Sequence, residues 1–111
     1  MMTPGPNDAP QDKIIVHGDP DLQELIPGFL ENRRKDLAAL SAAVERSDFP
    51  AIQALGHRMK GDGGGYGFAG LSAIGGALER AAQDRNQEAV RGRVAELASY
   101  LSRVEVIYEA S

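Results

Sequence analysis

Four stretches of this chain repeat apolar residues at spacings of three and four, and only a few residues separate one stretch from the next. A 3.6-residue period of this kind puts all the apolar positions on one helical face, so each stretch must bury that face against another. In the first stretch Leu22, Leu25, Ile26, Phe29, Leu30, Leu37, Leu40 and Val44 recur at helical spacing, behind a capping Asp19 and Pro20. Pro27 cannot lie inside one long helix, so the pattern predicts a short helix to about Ile26 and a longer one after it. Asp48 is the next capping residue, with Pro50 in the first turn behind it; the helix from Phe49 reads AIQALGHRMKGDGGG before glycines end it. Gly67 marks the following turn. Leu71, Ile74, Leu78, Ala81 and Ala82 share one face of a third helix reaching about Asp84, and Asn86 caps a fourth. Along that last helix Val90, Val94, Leu97, Leu101, Val104 and Tyr108 form a bundle-type seam. Short connections imply antiparallel neighbours. The expected fold is therefore all-α: a four-helix antiparallel up-down bundle with a short additional N-terminal helix.

Composition narrows what such a bundle does. At 111 residues there is room for one domain. Residues 1–12, with three prolines, a glycine and mostly polar neighbours, read as a disordered tail, and 13–111 as a single helical domain. The apolar stretch from Lys13 to Val16 reads as an extended strap that alone makes no sheet. The chain has no cysteine, which removes disulfides and thiolate metal sites and fits a reducing compartment. No segment approaches the roughly 20 apolar residues of a membrane span, and the N-terminus has no apolar core behind a basic start. These features predict a cytoplasmic protein with no membrane partner, and a bundle of this size can stand as a monomer. A net charge of −4 and a pI near 5.1 argue against a nucleic-acid partner. The cluster Arg33-Arg34-Lys35, flanked by Glu31 and Asp36, reads as a solvated helix face.

The chemistry-bearing residue is His57. Leu55 and Met59 share the buried face of its helix, and His57 lies about 200° from each, so it points at solvent. Its stripe holds Gln53, Lys60, Gly61 and Gly64 and no large apolar residue. Neutral imidazole is a good nucleophile near physiological pH. Lys60, one turn on, can meet the charge of an arriving phosphoryl group. Each glycine lowers helix stability by about 1 kcal/mol relative to alanine, and close approach of another protein surface is one return for it. A lone exposed histidine is ordinarily just a surface residue, so the longer pattern must carry the assignment. The glycine-rich GDGGGYGFAG lacks the Gly-Lys-Ser/Thr ending of a phosphate-binding loop and follows no strand. His17 and His57 are the only histidines, and no Glu-x-x-His pair offers a metal site in the bundle.

The longer pattern is His57, Met59, Lys60, Gly61, Gly67, Leu71, Leu78 and Glu79. In identity and order it resembles the histidine-containing phosphotransfer (HPt) domains of two-component phosphorelays, and the helix pattern extends the likeness from Asp19 to about Tyr108. The resemblance implies a four-helix bundle in which His57 accepts a phosphoryl group and Lys60 counters its charge. It also implies that Glu79 hydrogen-bonds the ring nitrogen that does not react. Response-regulator receiver domains and a sensor histidine kinase are the implied partners. No cofactor is implied on this chain, since Mg²⁺ belongs to the receiver, and the module is a carrier rather than an enzyme. By helical spacing Glu79 shares a stripe with Ser72, Gly76 and Gln83, away from the core positions Leu71, Ile74 and Leu78. The expected docking surface is therefore Gln53, Gly61, Gly64, Ser72, Gly76 and Gln83. Two departures stand out: Asp62 replaces a common serine, and Gly63 to Gly65 replace a mixture of small residues. Asp62 lies about 140° around the helix from His57, so its charge should not oppose the phosphoryl group. The alternative reading, from another class, is a helical interaction module that docks receivers or kinases without carrying phosphate.

Overall fold

The computed structural model describes residues 12–109, and the expected N-terminal tail lies, apart from Asp12, outside the described residues. In chain order a strand β1 (Ile14–Gly18) leads through a single 3-10 turn (Pro20–Leu22) into α1 (Ile26–Glu45). Then follow α2 (Phe49–Gly65), α3 (Ala69–Gln83), α4 (Gln87–Arg103) and a strand β2 (Val104–Tyr108). Each helix packs on the next, and α4 returns to α1, which closes the four into a ring; α2 and α3 form the most intimate pair.

The three helix–helix connections, 46–48, 66–68 and 84–86, share one geometry. The central residue of each is left-handed: Ser47 at φ 53°, Gly67 at 83° and Arg85 at 54°. The following amide reaches back five residues to a helical carbonyl, from Asp48 to Ala43 (2.9 Å), Phe68 to Gly63 (2.7 Å) and Asn86 to Ala81 (3.0 Å). These are Schellman stops, which satisfy the orphan carbonyls at a helix end. Asp48 and Asn86 then cap the next helix, accepting from the amides of Ala51 and Ala89. A stop and a start thus share three residues, which keeps successive helices antiparallel and adjacent.

Phe68, Ile26, Leu40, Ile52, Met59, Leu71, Leu78, Leu97 and Val90 are fully buried and form the centre of the core. Leu25 is the exception in the first apolar run: it precedes α1 and is 55% exposed. Among the described residues no helix is long and apolar enough to cross a membrane.

Three expectations are corrected. The short N-terminal helix is absent; Asp19 and Pro20 start only a 3-10 turn, and Pro27 opens α1 instead of ending a helix before it. Proline's missing amide is tolerated in a first turn, so the same residue serves as a start signal as readily as a stop. The fourth helix ends at Arg103, because Val104 to Tyr108 pair in parallel with β1, from Ile14 opposite Val104 to Gly18 opposite Tyr108. The strap therefore does belong to a sheet, its partner coming from the other end of the fold. Val104, Val106 and Tyr108 are half-buried while Glu105 and Ile107 face out, a period of two suited to β-branched and aromatic residues. Lastly, Arg33 is not on a solvated face. It is 6% exposed, with Asp36 and Asp62 against its guanidinium.

Candidate functional site

The site begins with how closely α2 and α3 approach. A methyl group built on Gly75 would lie 2.5 Å from the Lys60 amide nitrogen and 2.7 Å from the Gly56 carbonyl oxygen. One on Gly56 would meet the Glu79 nitrogen and the Gly75 oxygen at 2.7 Å, and one on Gly63 the Ser72 nitrogen at 2.6 Å. Real side chains do not fit such spaces, so backbone lies directly on backbone along this crossing. The sequence reading leaves Gly56 and Gly75 unmarked and notes Gly63 only as a departure from the family pattern, not as a packing residue. Their signal was available: Gly56 and Gly63 are seven apart, hence on one face, and that face also carries the buried Ile52 and Met59.

This contact brings α3 side chains to the outer edge of α2. The Glu79 carboxylate Oε2 lies 2.8 Å from Nδ1 of His57. The His57 side chain is 74% exposed and that of Glu79 only 18%. A carboxylate only accepts, so Nδ1 is the donor, and in the neutral ring this tautomer leaves the lone pair on Nε2. One turn along, Ser72 donates from its hydroxyl to the Lys60 carbonyl at 2.8 Å. The Lys60 stem passes over Gly76, whose added methyl would meet the Lys60 Cδ at 3.5 Å.

The sequence-derived residues fall on this face as follows. Pro50, Gln53 and Ala54 line a shallow hollow on one side of the His57–Glu79 pair. A second groove, which shares Glu79 with the first, is lined by Lys60, Ser72, Gly76, Arg80 and Gln83. Gly61 has nothing within 4 Å of where a methyl would stand, and Gly64 only the Ser72 hydroxyl at 3.8 Å. Gly76 is not bare, being roofed by the lysine. Asp62 is turned to α1, where it accepts from Nη1 of Arg33 at 3.0 Å.

The open position of Gly64 allows a clean test of docking. Gly64→Gln is expected to hold or raise stability, gaining up to about 1 kcal/mol of helix propensity. It should nevertheless block a protein that closes over the His57 stripe. Melting the variant and titrating it with candidate partners checks both; a destabilised variant, or one that still binds as wild type does, contradicts this use of the glycine.

A family model described as the Hpt domain matches residues 24–106, a span that contains all four helices whole. No curated protein and no solved structure matches the chain.

Proposed function

The chain belongs to the Hpt domain family, and from that premise we propose that His57 is its phosphoacceptor, taking a phosphoryl group from a receiver's aspartyl phosphate and passing it to another receiver. Hpt domains serve phosphotransfer in two-component phosphorelays; they interact with receiver domains and histidine kinases as carriers rather than catalysts. The observation that carries the residue assignment is the 2.8 Å contact between Nδ1 of an exposed ring and the carboxylate of a mostly buried Glu79.

That contact supplies what a nitrogen nucleophile needs. With Nδ1 protonated and tethered, Nε2 holds the lone pair. As Nε2 forms its bond to phosphorus, the bond from phosphorus to the aspartyl oxygen breaks, and its electron pair leaves on the carboxylate. The ring, still protonated on Nδ1, gains positive charge, and the Glu79 carboxylate opposes it. Return transfer reverses each change. Lys60 stands on the same stripe with its stem running over Gly76, within reach for its ammonium to meet the phosphoryl oxygens as charge redistributes over them. Mg²⁺ would arrive with the receiver. Gln53, Gly61, Gly64, Ser72, Gly76 and Gln83 form the surface the receiver covers.

Incubating the chain with a phosphorylated receiver, and reading acid-labile phosphate on it, tests the proposal. Binding without label would favour an interaction module that carries no phosphate. Lys60→Ala is expected to slow transfer by about tenfold while changing receiver affinity far less, since its charge acts mainly in the transition state. Single-turnover rates over a range of receiver concentrations separate the two effects; unchanged rates would make Lys60 an ordinary surface lysine.

A further inference from the structure

We propose that Arg33 is a positioning residue for phosphoryl transfer, acting through Asp62 to keep the glycine-rich end of α2 wound and Lys60 in place beside His57. The proposal rests on the phosphotransfer reading of His57 and concerns what holds its neighbour.

Of the five residues after Lys60 in α2, Gly61, Gly63, Gly64 and Gly65 are glycines, and only Asp62 has a side chain. Glycine is the poorest ordinary helix former, because it loses the most backbone freedom on ordering. Yet α2 continues to Gly65. Unwinding just after Lys60 would release the carbonyl turn beneath it and swing its ammonium off the stripe of His57, so the segment needs outside support.

That support comes from α1, and both ends of the run are gripped. At the start, Arg33 donates from Nη1 to Asp62 at 3.0 Å. At the end, the Tyr66 ring stacks on Phe29 with centroids 4.4 Å apart, and Phe68 packs on the same ring at 5.1 Å. The Arg33 guanidinium lies 5.0 Å over the Phe29 ring, joining the two grips. Arg33 is the one buried charged residue among those described, at 6% exposure, and a buried charge requires partners. Asp36 is the second: its Oδ2 lies 2.9 Å from Nε, but out of line with the N–H, so this contact is a charge pair rather than a hydrogen bond. Burial pushes the Asp36 carboxyl above its ordinary pKa, while Arg33 and Arg58 pull it down. Asp36 thus neutralises Arg33 at some penalty, and Asp62 is the acceptor that Arg33 meets with aligned geometry. From the other side, Ser72 of α3 holds the Lys60 carbonyl. Lys60 therefore sits between two anchors, one on each neighbouring helix.

Asp62→Asn is the variant that reads this, because Asp62 is half exposed and its loss spares the core, whereas Arg33→Met puts the fold itself at risk. The full chain is phosphorylated with phosphoramidate, whose phosphorus–nitrogen bond breaks as Nε2 attacks and whose nitrogen leaves as ammonia. Rates are compared for wild type, Asp62→Asn, Lys60→Ala and the double variant. Asp62→Asn is expected to slow labelling about fivefold in the wild-type background and hardly at all once Lys60 is alanine, as coupled residues do. Amides of residues 61–67 should exchange faster in Asp62→Asn, with those of α4 unchanged. Equal slowing in both backgrounds, or no slowing, overturns the positioning role and leaves the phosphoacceptor assignment standing. No label on wild type, from phosphoramidate or from a phosphorylated receiver, overturns both.

Discussion

Replacing His57 with glutamine is expected to abolish phosphoryl acceptance completely while leaving the helical signal unchanged and the melting temperature within about 2 °C of wild type. The ring is 74% exposed and is held by the Glu79 carboxylate rather than by core packing, so no cavity opens when it is lost. Surface substitutions away from core or capping features usually change stability by no more than about 0.5 kcal/mol. Glutamine keeps an amide that can still donate to Glu79, which spares that mostly buried carboxylate from losing its donor. Labelling with a phosphorylated receiver, followed by calorimetry on the same sample, checks both halves. Residual labelling would place the acceptor elsewhere, and a large fall in stability would make His57 a structural residue.

The second large effect is expected at Gly75. Gly75→Val places side-chain carbons where the Lys60 nitrogen and Gly56 oxygen already stand, at 2.5 and 2.7 Å from the first carbon alone. Both obstacles are backbone, so relief requires α3 to move away from α2. Overpacking of this kind costs about 3 kcal/mol, at the upper end of the usual range. For a domain of about this size that corresponds to a fall in Tm of roughly 12 °C. The same displacement carries Glu79 away from His57, so even the folded fraction should accept phosphate slowly. Gly61→Ala is the control: nothing lies within 4 Å of its added methyl, and the helix gains about 1 kcal/mol. Thermal melts of the pair decide the matter; equal melting temperatures would mean the α2–α3 contact is looser than described.

What could be read in advance was what local chemistry decides. Asp48 and Asn86 act as caps because a short oxygen-bearing side chain reaches an amide three residues on, which needs no tertiary information. The outward direction of His57 follows from Leu55 and Met59 alone. Gly67 was legible as a turn, whereas Ser47 and Arg85 adopt the same left-handed backbone without a glycine to mark it.

The misses are non-local. Val104 and Tyr108 fit the four-residue step of a helix and the two-residue step of a strand equally well. Only the partner β1, some ninety residues earlier in the chain, decides between them. Arg33 sits among charged neighbours and reads as solvated; its acceptor Asp62 lies on another helix, 29 residues away. The glycines of α2 also divide in a way composition hides. Gly61, Gly64 and Gly65 are open, while Gly56 and Gly63 are pressed against α3. The stripe of His57 picks out Gly61 and Gly64 among the open ones and says nothing of Gly56 and Gly63, which bring α3, and with it Glu79, up to His57.

The most direct measurement of the central assignment is the position of the phosphate on the ring. The ¹⁵N-histidine-labelled chain, phosphorylated by a receiver, should show phosphorus coupled to Nε2 of His57, with Nδ1 protonated and bonded to Glu79. Phosphate on Nδ1, on His17 or on neither histidine would contradict the account.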